Sequence, residues 1–122
     1  METIAYLLEK ILDEILLVGG VELCAVVSKQ GLLMVSREAG PGLDSEAFAA
    51  LTATLYMSAE STTMRLSKQK PKSIIVQTDD KQLITYASGP DALIVVLVGN
   101  DGYIGLILGE MKKAAEKVIN II

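Results

Sequence analysis

The sequence predicts an α/β fold of three helices and five short strands in the order α-β-β-α-β-β-β-α. Three observations predict it. Three segments repeat apolar residues at helical spacing. Five short β-prone runs lie between them, separated by the Gly, Pro, Asn and Asp chemistry of tight turns. The 122 residues, 51% hydrophobic and 21% charged, have the composition of a folding chain and the length of a single domain spanning 1–122.

The first segment, Met1 to Val18, carries Ile4, Leu7, Leu8, Ile11, Leu12, Ile15 and Leu16 at i, i+3, i+4, i+7 spacing, so one helical stripe is buried. Gly19 and Gly20 stop that helix. Val21 to Ser28 and Leu32 to Arg37 form a hairpin, with Gly31 supplying the positive φ its turn needs. Gly40-Pro41-Gly42 ends the hairpin, and Asp44 or Ser45 caps a helix running to about Ser67. After the Lys68–Lys72 loop, the strands Ser73 to Thr78, Gln82 to Ser88 and Ala92 to Val98 form a meander through Asp79-Asp80-Lys81 and Gly89-Pro90-Asp91. The last of these is apolar throughout and reads as a central strand, whereas SIIVQT is short and ends polar, as an edge strand does. Ile104 to Ile122 closes the chain as an amphipathic helix. Ile104, Ile107, Leu108, Met111, Ala115, Val118, Ile119 and Ile122 lie on one face, and Lys112, Lys113, Glu116 and Lys117 on the other.

The middle helix carries most of the functional information. Between Glu46 and Met64 its only charges are at 46 and 60. Phe48, Leu51, Leu55, Ala59, Thr62 and Leu66 form a stripe large enough to pack on a sheet. Ala47, Ala50, Thr54, Met57, Ser61 and Met64 form a second stripe, of small residues and flexible methionines, which water suits poorly. Either the protein's own loops cover it, or a partner helix does. A symmetric dimer through this stripe and the SIIVQT edge, with Ile74, Ile75 and Val76 in the contact, would also satisfy the unpaired backbone of that edge. A mean hydropathy of +0.44, high for a small isolated body, points the same way.

Composition excludes several functions. A net charge of −4 and the lack of a basic run interleaved with aromatics argue against nucleic-acid binding. With no histidine and a single cysteine, Cys24, there is no His-based triad, no usual zinc site and no internal disulfide, and a reducing cytoplasmic setting is expected. The charges of the first helix rule out a signal peptide or a membrane-inserted span at that end.

On this element order the chain resembles the Roadblock/dynein light chain family. The matching pieces are the glycine-ended first helix, the hairpin VELCAVVSKQGLLMVS with Gly31, and the small-residue helix AFAALTATLYMSAE. The closing run ALIVVLVGNDGYIGLILGEMKKAAEKV also matches, with Asn100 and Gly105 at its Asn and Gly positions. The resemblance implies a five-stranded antiparallel sheet, with the middle helix on one face and the two terminal helices on the other. It implies a homodimer through the middle helix and third strand, giving a continuous ten-stranded sheet. It also implies a non-enzymatic regulator or scaffold acting on a Ras-like small GTPase, in some relatives as a GTPase-activating protein that orients the GTPase's own catalytic residues.

The remaining constellations carry no chemistry. VLVGNDGYIG has G-x-x-G-x-x-G spacing, lacks Gly-Lys-Ser/Thr and reads as a helix-entry turn rather than a nucleotide loop. Asp79-Asp80 and Asp44-Ser45-Glu46 read as turn and cap residues, not metal ligands. Lys68, Lys70 and Lys72 form a small basic cluster that could meet an acidic partner or anionic lipid but, at three lysines, reads as a solvated loop. Cys24 reads as a small buried hydrophobe, and Ser58, Ser61, Thr62 and Thr63 have no partner base. No catalytic, cofactor or metal residue is assigned. Two further classes stay in play: a small-molecule or lipid sensor with an apolar pocket between sheet and terminal helices, and, last, a hydrolase using Cys24.

Overall fold

The computed structural model describes residues 2–38 and 44–122, so Gly40-Pro41-Gly42 lies outside the described residues. The elements are α1 (Ile4–Leu16), β1 (Val21–Ser28), β2 (Leu33–Glu38), α2 (Ser45–Ser67), β3 (Ser73–Gln77), β4 (Lys81–Ser88), β5 (Ala92–Gly99) and α3 (Ile104–Ile121). The five strands form one antiparallel sheet in the order β2-β1-β5-β4-β3. The all-apolar strand β5 is central and SIIVQ is an edge, as patterning predicts.

Both faces of the sheet are covered. Leu8, Leu12 and Ile15 of α1 and Ile107, Met111 and Val118 of α3 pack with Cys24, Ile84, Ile94 and Val96 on one face. Ala49, Ala53 and Tyr56 of α2 pack with Ala25, Val27, Leu93 and Val95 on the other. Side chains therefore fill the space between the sheet and the terminal helices, where a sensor's pocket would lie. Ile119 and Ile122, expected on the buried face of α3, are exposed. The buried stripe turns instead through Ala114, Ala115 and Val118, leaving Ile119 on its flank and Ile122 beyond the helix end.

Local chemistry sets the boundaries. Thr3 caps α1 by accepting from the Tyr6 N–H at 3.1 Å, and Asp44 caps α2 by accepting from the Ala47 N–H at 3.1 Å. At Gly20 the chain leaves α1 with φ +79°, and a Cβ there would collide with the backbone of Gly102 at the entry to α3. The glycines at the two ends thus let the backbones touch. At the β1–β2 turn, Gly31 has φ +94°, and a Cβ would stand 3.4 Å from the Ala50 Cα. The turn is tucked against α2.

One expectation about α2 is overturned. The stripe of Phe48, Leu51, Leu55, Ala59, Thr62 and Leu66 is not the sheet contact: Leu51 is 71% exposed, Leu66 82% and Leu55 37%. The face on the sheet is Ala49, Thr52, Ala53 and Tyr56. Small residues at 49 and 53 bring the helix close to the bulky sheet residues Val27, Leu93 and Val95, which supply the volume themselves. Thr52 satisfies its buried hydroxyl by donating to the Phe48 carbonyl at 2.8 Å. Tyr56 donates its hydroxyl to the Pro71 carbonyl at 2.8 Å, fastening the helix to the loop that follows it.

Candidate interaction surface

Among the described residues α2 and β3 expose Leu51, Leu55, Met57, Met64, Leu66, Ile75 and Val76, and two flanks of α2 contribute. Ala47, Ala50, Thr54, Met57, Ser61 and Met64 are all exposed. Their flank faces the β1–β2 turn, where Gly31 meets Ala50 and where Glu46 lines a hollow with Leu32 and Leu33. The other flank carries Phe48, Leu51, Leu55 and Leu66. By helix geometry it turns the opposite way, toward the β4–β3 side of the sheet. There Phe48 packs in the same cluster as Ile74 and Leu83, both only partly buried.

Strand β3 is open along its outer side. Its partner register runs Ser73↔Tyr86 to Gln77↔Gln82. Since Leu83 and Thr85 lie opposite Leu97 and Val95, Ile74 and Val76 share the α2 face with the exposed leucines. Ile75, opposite the core residue Ile84, points to the other face and is 43% exposed. Leu83, Ile74 and Val76 therefore line the α2 face of the sheet up to an unpaired strand edge, and the leucine flank of α2 is turned toward that side. Such a surface is suited to another polypeptide.

Several charged groups of the sheet and its turns are committed to ion pairs. Lys29 lies 3.3 Å from Glu60 and 5.2 Å from the Tyr56 ring centroid. Burial and the neighbouring Glu60 raise the pKa of Tyr56. Arg37 bridges Asp13 at 2.9 Å and Glu9 at 3.1 Å, and the hydrogen bond to Asp13 raises its pKa. Lys81 bonds Glu22 at 2.6 Å, which likewise raises its pKa. Arg65, in the last turn of α2, is exposed. Lys68, Lys70 and Lys72 are exposed too, with Lys68 ending α2 in the left-handed conformation at φ 61°.

The residues set aside on sequence grounds sit as follows. Cys24 is buried, its thiol pushed up to about 12 by burial and then by the Asp13 charge, and its Sγ donates weakly to the Leu12 carbonyl at 3.9 Å. A thiol held protonated under a helix is no nucleophile. In the VLVGNDGYIG segment the Gly99 N–H donates to the Gly20 carbonyl at 2.9 Å and the Gly102 N–H to the Gly99 carbonyl at 3.2 Å. These amides hold the turn rather than a phosphate. A Cβ at Gly105 would meet nothing within 4 Å, so no steric demand explains that glycine. Asp79 and Asp80 occupy the β3–β4 turn closed by the Thr78 N–H donating to the Lys81 carbonyl at 2.9 Å. Among the described residues no group of three or more Cys, Asp or Glu side chains is placed to hold a metal, and no helix is long and apolar enough to cross a membrane.

Periodicity identified α2 and β3 as the exposed apolar elements but assigned the leucines to the core. The signal that finds them is the alternation of small and aromatic residues, Ala49, Ala53 and Tyr56, at i, i+4, i+7 spacing.

Comparison with known proteins agrees with this architecture. No match was found among curated protein sequences. A solved structure described as MglB with tetrameric arrangement superposes with a TM-score of 0.91 at 19% identity, over 99% of this chain and 91% of that one. The gliding protein MglB of Thermus thermophilus gives 0.90 at 18% identity, over 99% and 92%. A Roadblock/LC7 domain from Streptomyces avermitilis gives 0.79 at 22% identity, over 93% and 92%. These likenesses establish the fold. Residues 7–98 match the model of the Roadblock/LC7 domain, and the chain belongs to that family.

Proposed function

We propose that the chain, as one Roadblock/LC7 unit over 1–122, is a non-enzymatic cytoplasmic regulator that works as a homodimer and acts on a Ras-like small GTPase. The observation that carries the dimer is the pairing of exposed leucines on α2, Leu51, Leu55 and Leu66, with an open apolar edge strand, β3, that carries Ile74 and Val76. A twofold partner seated there buries the leucines against their copies and continues the sheet from five strands to ten. The helix contribution then comes from the leucine flank, which lies on the β3 side. Ala47, Ala50, Thr54, Met57, Ser61 and Met64 stay outside the twin contact. Small and flexible, they are the surface offered to the GTPase.

Regulation by this chain is a matter of positioning. Of its two arginines, Arg37 is held by Asp13 and Glu9, and Arg65 lies exposed in the last turn of α2 with no ion pair among the described residues. Neither is presented by a built site. The chain acts by ordering the GTPase's own catalytic groups around the attacking water.

Two measurements test the reading. Light scattering behind size exclusion should give a dimer mass at micromolar concentration, and a monomer mass throughout would end the dimer proposal. GTP hydrolysis by Ras-like proteins of the same source should change when the chain is added. If no candidate binds and no rate moves, the GTPase is the wrong partner.

A further inference from the structure

The hydrogen-bond phase of β3 and the charges at its two ends specify how a second copy would dock. The Thr78 N–H donates to the Lys81 carbonyl at 2.9 Å, and the Ala87 N–H donates to the Lys72 carbonyl at 3.0 Å. With the register Ser73↔Tyr86 to Gln77↔Gln82, these two bonds set the alternation along the strand. Lys72, Ile74, Val76 and Thr78 turn their backbone groups inward to β4, whereas Ser73, Ile75 and Gln77 turn theirs outward.

A twofold axis normal to the sheet makes the new pairing antiparallel. When Ile75 lies opposite the partner's Ile75, Ser73 lies opposite the partner's Gln77. Every outward amide and carbonyl of the strand is then paired. A slip that sets Ile75 opposite the partner's Ser73 brings Gln77 to the partner's Pro71, which has no N–H to donate. The opposite slip brings Ser73 to the partner's Asp79, already in the turn.

The flanking residues respond to the same register. Lys70 and Lys72 precede β3, and Asp79 and Asp80 follow it. All four are exposed, and among the described residues none forms an ion pair, unlike the neighbouring Lys29 and Lys81. The Ile75 register sets Lys72 beside the partner's Thr78, so the Lys70–Lys72 loop of one copy reaches the end of the partner's strand, where the Asp79-Asp80 turn begins. The acidic turn of one copy lands on the basic loop of the other, at both ends. In parallel pairing Lys would meet Lys and Asp would meet Asp.

We propose that Lys70 and Lys72 of one copy clamp Asp79 and Asp80 of the other, so that the charge-polarised edge selects an antiparallel homodimer centred on Ile75. This rests on the dimer reading above and adds its register and its electrostatic lock. The test uses two charge-reversed full-length chains, Asp79→Lys/Asp80→Lys and Lys70→Glu/Lys72→Glu. Because the positions are exposed turn and loop residues, both should melt as folded proteins, with circular dichroism as the check. Alone, each repels itself at both ends, and its dimer dissociation constant in low salt should rise about tenfold or more, less so in high salt. Mixed, the two should form heterodimers in preference to either homodimer, read by native mass spectrometry.

Unchanged dimerisation of the separate variants, or a statistical mixture on combining them, overturns the clamp while leaving the dimer standing. A wild-type chain that is monomeric overturns both. Register has its own readout, with buried Cys24 out of reach of oxidants. Ile75→Cys should cross-link two copies on oxidation, since directly opposed strand residues have Cα atoms about 5.5 Å apart, and Gln77→Cys should not. The reverse result refutes the Ile75 centre.

Discussion

At Tyr56 the molecule joins three things: the inner face of α2, the loop into β3 through the Pro71 carbonyl, and the Lys29–Glu60 pair beside its ring. Tyr56→Phe keeps the volume but leaves that carbonyl without its donor. A loss of about 1–2 kcal/mol in chemical denaturation is expected. Cys24 gives a second residue-level prediction. Its thiol titrates near 12 in the folded chain against a usual 9.0, so the folded state retains a proton that the unfolded chain releases. Its contribution to stability is whole below pH 9 and is lost as pH rises toward 12, at about 1.4 kcal/mol per unit. Between pH 9 and 10.5, Cys24→Val should show a shallower loss of stability than the wild type. Equal slopes would mean that the thiol is not the group responsible. The sequence already marked Cys24 as buried, since it sits in a strand of apolar neighbours. The link from Tyr56 to Pro71 was not legible, because nothing local ties residues fifteen apart in chain order.

The elements show where pattern reading succeeds and where it fails. Strand β5, apolar at successive positions, can only be central, and the polar end of SIIVQT leaves it at the edge. For α2 the same arithmetic sorted residues into stripes correctly but ranked them by size, and size misleads where a helix lies close to a sheet already rich in valine and leucine. Its leucines were free for another task. The two flanks therefore separate by mutation. Leu55→Glu places a charge in the proposed twin contact and should weaken the dimer by several kcal/mol, measured by sedimentation. Thr54→Glu, on the other flank, should leave the dimer intact and reduce the effect on GTP hydrolysis. If Thr54→Glu alone breaks the dimer, the contact lies on the alanine-methionine flank. Removing the cap by Asp44→Ala should cost about 1 kcal/mol and act on α2 alone.

Across the whole molecule, one face of the sheet is closed by α1 and α3 and the other only partly by α2. That asymmetry leaves the β4–β3 side bare. Its melting temperature should therefore rise with protein concentration, as it does when folding and association are linked, and a constant melting temperature would place the monomer on its own. Layer order and edge identity followed from the residues and the family resemblance. Which flank of α2 faces which edge did not, because that depends on how the β1–β2 turn seats against Ala50. The sheet has a second free edge, β2, and there the chemistry differs. Its last residues are Arg37, locked to Glu9 and Asp13, and Glu38. Charged residues at the end of an edge strand disfavour its pairing with a further strand. In the proposed dimer, growth by edge addition would then stop after one step, and a chain that could otherwise template a fibre would yield a finite particle.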